Sequence, residues 1–116
     1  MLRLKILIID NEPRWIEFTK ENLVNFEISV VSSAEEALHA FASNHFDLVI
    51  ASSLQLQALE TIKQQYGGQT VFVATTNPNR KEERQAYLLG AKRYISKKFD
   101  PDSLKHEIAA VVPIVN

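Results

Sequence analysis

The sequence predicts an α/β fold, a doubly wound five-stranded parallel sheet with helices on both faces, and three observations carry that expectation. Near-continuous aliphatic runs recur along the chain, each short enough to be a strand. A strand buried on both faces lacks polar alternation, because helices cover it above and below. Between those runs lie segments with apolar residues at helical spacing. Finally, turn and capping residues sit at the junctions, so strand and helix alternate through short crossovers that are right-handed by default.

Leu4 to Ile9 is the first run, ending at Asp10. Asn11, Glu12 and Pro13 turn the chain into a helix reaching about Asn25, with apolar contacts from Trp15, Ile16, Phe18, Leu23 and Phe26; proline fits the first helical turn, where its missing N–H is not needed. Glu27 to Val31 is a β-branched second strand. Ser32 or Ser33 then offers a hydroxyl cap to a helix whose Ala34, Ala37, Leu38, Phe41 and Ala42 share one face. Asp47 to Ala51 is the third strand. Leu56, Leu59, Ile62 and Tyr66 mark the following helix, for which Gly67 and Gly68 offer a left-handed C-cap. Thr70 to Thr75 is the fourth strand, and Asn77 to Asn79 lead into a charged helix over Arg80 to Leu89, capped by Gly90. Arg93 to Ser96 is the fifth strand. Asp100 and Pro101 start a last helix with a stripe of Leu104, Ile108, Val111 and Val112.

Bulk composition narrows the function classes. With 116 residues the chain is expected to form one domain, 1–116, able to bury a core without staples. A net charge of −1 gives no bias toward nucleic acid or anionic membranes, and the cluster Lys92, Arg93, Lys97 and Lys98 is too small to argue for nucleic acid. The absence of cysteine removes disulfides, thiolate zinc sites and thiol nucleophiles, and leaves the cytoplasm as the default location. Lys5 and the polar residues after Ile9 interrupt the first apolar run, so a secretory leader is not expected; no segment approaches the roughly 18 apolar residues of a membrane span. His39, His45 and His106 lack metal-ligand spacing, and no glycine-rich loop opens a helix after a strand.

In sheets of this kind, sites form at the carboxyl ends of the strands. The residues to examine are therefore Asp10 to Glu12, Ser52 and Ser53, Thr75 and Thr76, and Ser96 to Lys98. Ser52 poses the sharpest question, since it ends a buried strand where a nucleophile or merely a small residue chosen for fit would both sit.

Taken together, ILIIDNEP, FDLVIAS, VFVATTN and GAKRYISKKFDP resemble, in order and spacing, the signature segments of the response-regulator receiver domain of the CheY-like superfamily. The resemblance implies strand order 2-1-3-4-5. It also implies an acidic pair for Mg²⁺ after the first strand, an acceptor aspartate ending the third, a hydroxyl residue ending the fourth, and an aromatic and a lysine on the fifth. Asp10 matches the first acid, whereas Asn11 occupies the second place and Glu12 lies beyond it. The acceptor position, five residues after Asp47, falls on Ser52, and the loop into the next helix is shortened. Thr75, Tyr94 and Lys97 match the hydroxyl, the switch aromatic and the lysine, with Lys98 where proline is usual.

Two of three negative charges are thus absent from the implied Mg²⁺ site, leaving Asp10 as its only candidate ligand. Mg²⁺ sheds water reluctantly and favours several carboxylates or phosphates, so weak or absent binding and no cofactor are expected. A serine acceptor also requires a nearby general base, for which Asp10 and Glu12 are the candidates. With the acceptor carboxylate gone, a partly buried ammonium still needs a counter-charge, which predicts a direct Asp10–Lys97 pair. The expected function is a non-enzymatic, phosphorylation-independent receiver acting through a protein partner, possible homodimerisation included. Its standing docking face would comprise Tyr94, Tyr87, Lys98 and the charged residues from Arg80 to Arg84. The alternatives are a phosphorelay receiver with a non-standard acceptor and a small-ligand regulatory module.

Overall fold

The computed structural model describes residues 3–112, so the outermost ends of the expected 1–116 domain lie outside the described residues. Strands β1 (Leu4–Ile9), β2 (Phe26–Val31), β3 (Leu48–Ser52), β4 (Val71–Thr75) and β5 (Arg93–Ser96) form one sheet of order β2-β1-β3-β4-β5. Every pairing is parallel. Helices α1 (Pro13–Asn22), α2 (Ala34–Ser43), α3 (Leu56–Gln65), α4 (Arg80–Leu88) and α5 (Pro101–Ala109) fill the crossovers. The expected fold class and strand order are both present.

The strand sequences explain their places in the sheet. β3 and β4 are buried at every residue, as continuous aliphatic runs require between two helical layers. β2 and β5 instead expose part of their side chains, which suits the two edges. Successive residues of β1 point to opposite faces: Ile6 and Ile8 join Trp15, Phe72, Leu104 and Ile108 in one core, while Leu7 and Ile9 join Phe41, Leu59, Ile62 and Ala86 in the other. Thus α1 and α5 cover one face, and α2, α3 and α4 cover the other.

Local chemistry fixes the helix starts. Ser33, rather than Ser32, caps α2 by accepting from Glu36 N–H at 3.2 Å, a contact type worth about 1 kcal/mol. Ser32 instead donates to the Glu36 carboxylate at 2.6 Å. Asn79 Oδ1 caps α4 through Glu82 N–H at 2.9 Å, and Asp100 Oδ1 accepts from Asp102 N–H at the start of α5.

Several expected boundaries differ, the starts of β2 and β4 by one residue each. α1 ends at Asn22, not near Asn25, because Leu23 turns into the core and Phe26 already belongs to β2. β3 is shifted one residue toward Ser52: Asp47 holds the preceding corner, its carboxylate accepting from Lys5 N–H at 2.7 Å. α4 stops one residue early, before Gly90, the single residue with positive φ (97°) among those described. Gly67 and Gly68 are not a left-handed cap. Tyr66 closes α3 with a negative φ, and Gly67 instead permits close approach, since a Cβ there would lie 3.3 Å from the Lys63 carbonyl oxygen. No described helix is long and apolar enough to cross a membrane.

Candidate functional site

The parallel register places Asp10, Ser52, Thr75 and Lys97 at one end of the sheet, around a cleft of about 450 Å³. Ile9 faces Ala51 in β3, while Ser52 faces Ala74 in β4, so the residues following β1 and ending β3 and β4 emerge side by side. Lys97 is delivered just beyond β5, where its N–H donates to the Thr75 carbonyl at 2.7 Å.

The Lys97 ammonium is buried, with only 4% of its side chain exposed. It lies 2.8 Å from Asp10 Oδ2 and donates to Glu12 Oε1 at 3.2 Å. The approach to Asp10 Oδ2 is a charge contact without hydrogen-bond geometry, so that oxygen has no directed donor. Asp10 Oδ1 accepts from Glu12 N–H at 2.9 Å, which ties the first turn of the loop to the pair. The Trp15 ring lies beneath the ammonium, 5.8 Å from its centroid, and supplies a weaker cation–π attraction. The expected Asp10–Lys97 pair is therefore formed, and Glu12 shares it.

The other expected site residues divide into two groups. Ser52 is 96% buried and its hydroxyl accepts from Leu54 N–H at 3.2 Å, capping the one-turn 3₁₀ helix Ser53–Gln55. Among the described residues it makes no side-chain hydrogen bond to a carboxylate. Thr75 Oγ1 accepts from Asn77 N–H at 3.2 Å. Asn11 lines the cleft from an exposed position and takes no part in the ion cluster. His45 lies near Asp47 at 3.5 Å on the surface, and no group of three His, Cys, Asp or Glu side chains among the described residues is arranged to hold a metal.

Tyr94 connects this end of the sheet to α4. Its hydroxyl donates to Glu82 Oε1 at 2.5 Å and accepts from Asn79 N–H at 3.2 Å. Glu82 is consequently half-buried, unlike its charged neighbours Arg80, Lys81, Glu83 and Arg84, which point to solvent. Tyr87 is 45% exposed on α4, while Lys98 lines a separate crevice beside Tyr94, Trp15 and α5. Sequence reasoning counted Glu82 only as part of a charged face and gave Ser53 no role. Ser53 in fact donates to Thr75 Oγ1 at 3.1 Å. Two consecutive serines after a strand were the available signal, but their partners lie in other elements.

Burial, and after it the hydrogen bond to the Glu82 carboxylate, raise the Tyr94 phenol above its ordinary value of 10.0. Well below pH 10.0 the phenol is neutral in the folded and unfolded chains, and its stabilisation is complete. As pH rises past that value the unfolded chain ionises first, and stability falls until the folded phenol ionises as well. Tyr94→Phe is expected to cost about 1 kcal/mol at neutral pH and to flatten this alkaline decline. Denaturant titrations of both proteins from pH 7 to 11 check it; parallel profiles would refute the assignment.

Comparison with known proteins agrees with this geometry. A family model for the response regulator receiver domain matches residues 6–109. The heme response regulator HssR of Staphylococcus saprophyticus is 27% identical over 117 residues, covering 95% of this chain and 52% of HssR. The transcriptional regulatory protein YvrH of Bacillus subtilis is 28% identical, covering 90% and 47% respectively. The chain thus spans about half the length of these relatives. Among solved structures, the signal receiver domain of an HD domain-containing protein from Pseudomonas fluorescens superposes with a TM-score of 0.85 at 26% identity, covering 95% of this chain and 94% of that one. A response regulator from Thermotoga maritima gives 0.89 at 18% identity, covering 97% and 100%, a likeness of fold alone. With the sheet order, the strand-end residues and the matched span in agreement, the chain belongs to the receiver-domain family of two-component response regulators.

Proposed function

We propose that this receiver domain works without phosphorylation, as a non-enzymatic docking module that meets a protein partner of a signalling pathway in the cytoplasm. The observation that supports it is the charge arrangement at the strand ends. Phosphoryl transfer to an aspartate requires a carboxylate nucleophile and a hard cation to neutralise developing charge. Ser52, which the resemblance puts at the acceptor position, is neutral and hydrogen-bonded to its own loop. Asp10 and Glu12, which line the same cleft, are both already matched to the Lys97 ammonium.

That donor set does not fit a resident Mg²⁺. Asp10 Oδ1 is held by Glu12 N–H and Oδ2 faces Lys97, so a cation would have to displace an ammonium 2.8 Å away. Neutral Asn11 and Ser52 offer no charge in return, whereas Mg²⁺ demands near-octahedral oxygen ligation. We therefore assign the domain no cofactor. Its partner surface is proposed to be the α4–β5 side around Tyr94 and Tyr87, with Lys98 at its margin. A second copy of the chain is one possible occupant, and nucleic acid and membrane are not assigned to this domain.

Intact mass after incubation with Mg²⁺ and a small acyl-phosphate donor tests the reading, beside a receiver domain that carries the acceptor aspartate. The expected result is no phosphoryl adduct on this chain and full reaction of the control. An adduct would overturn the proposal, and Ser52 would be the first residue to map.

A further inference from the structure

The hydroxyl of Ser53 sits where it links the strand-end cleft to Tyr94, through contacts that span three elements. The 3₁₀ turn that carries it is anchored twice: Ser52 Oγ accepts from Leu54 N–H, and Gln55 Nε2 donates to the Ser32 carbonyl at 3.1 Å. From that turn Ser53 O–H donates across to Thr75 Oγ1 at the end of β4. Thr75 Oγ1 also accepts from Asn77 N–H, and Asn79 Nδ2 donates to the Asn77 carbonyl at 3.3 Å. Asn79 N–H then reaches the Tyr94 hydroxyl, which donates to Glu82, while Asn79 Oδ1 caps the same helix through Glu82 N–H.

We propose that Ser53 is a positioning residue whose hydroxyl fixes Thr75, the β4–α4 turn and Tyr94 in one arrangement, so that the α4–β5 face is set by the chain itself and not by an added group at the cleft. This rests on the phosphorylation-independent reading and supplies its physical means. Thr75 Oγ1 accepts twice, from Ser53 O–H and from Asn77 N–H, so the serine and the β4–α4 turn share one acceptor. From that turn the contacts pass through the Asn77 carbonyl and Asn79 to the Tyr94 hydroxyl and onto the Glu82 carboxylate. The carboxylate at the end strengthens the last of these bonds. The short β3–α3 connection places the serine within reach: Ser53 follows β3 directly, with no intervening loop before the 3₁₀ turn.

Amide and tyrosine-ring NMR of Ser53→Ala and Ser53→Thr tests the assignment. Ser53→Ala is expected to shift the resonances of Asn77, Asn79, Glu82 and the Tyr94 ring while leaving α1 and α2 unchanged, and Ser53→Thr, which keeps the hydroxyl, is expected to restore them. Shifts confined to residues 52–56 and Thr75 would overturn the proposal, as would a folded Ser53→Thr protein that behaves like Ser53→Ala. If Ser53→Ala does not fold, Thr75→Val, which removes the acceptor, is read at Asn79, Glu82 and Tyr94 with the same criteria. A phosphoryl adduct on the unmodified chain would sink the functional reading; an unmoved Tyr94 with no adduct would sink only the role of Ser53.

Discussion

Lys97→Met is expected to lower the stability of this domain by about 3–5 kcal/mol, the cost of leaving a buried charge without its partner. Asp10 is 3% exposed, and the substitution removes the only cation within ion-pair distance of its Oδ2 among the described residues. Glu12, with 36% of its side chain exposed, can turn to water and contributes little to the loss. Since a domain of this size has only about 5–15 kcal/mol of stability, the variant should unfold at markedly lower denaturant concentration. Replacing both charges, as Asp10→Asn with Lys97→Met, is expected to recover much of the loss. No buried charge then remains, and the asparagine oxygen can still accept from Glu12 N–H. A thermodynamic cycle of the three variants measures the coupling. Additive losses would show that Asp10 and Lys97 do not act as a pair, and a Lys97→Met protein as stable as the parent would mean that the ammonium carries no structural role.

The combined substitution Asn11→Asp and Ser52→Asp is expected to create Mg²⁺-dependent behaviour, and the parent is expected to show none. Asn11 is exposed, so an acid there is tolerated, whereas a carboxylate at Ser52 enters a 96% buried position beside Asp10 and repels it. Without divalent cation the double variant should melt below the parent. Mg²⁺ is expected to bind the folded variant and not the parent, and at a hundredfold excess over its dissociation constant should return about 2.7 kcal/mol. Melting with and without Mg²⁺ reads the first effect; intact mass with an acyl-phosphate donor reads the second, a phosphoryl group on the variant and none on the parent. If the folded variant shows neither, the two side chains are not what withholds the chemistry, and the shortened β3–α3 connection takes their place as the cause.

How much was legible beforehand differs between the frame and the site. Aliphatic runs such as Leu48 to Ala51 can only be buried on two faces, so sheet, layers and the strand-end location of the site follow from the residues themselves. The Asp10–Lys97 pair was also legible, because a buried ammonium must find a charge and few candidates share its end of the sheet. Helix ends were read less well: Asn25 and Phe26 continue a helical pattern that Leu23 breaks by turning inward.

By itself, then, the sequence determined the alternating strands and helices, the receiver family, and the neutral Ser52 at the end of the third strand. The tertiary structure alone decided that Glu12 shares Lys97 across 85 residues, that Ser53 meets Thr75 across 22, and that Tyr94 binds Glu82 instead of standing free on the surface. Burial and periodicity are properties of short segments and can be read one segment at a time. A hydrogen bond between hydroxyls 3.1 Å apart depends on the register of β3 against β4 and on the 3₁₀ turn that follows β3, and a shift of one residue in that register would turn Thr75 to the opposite face.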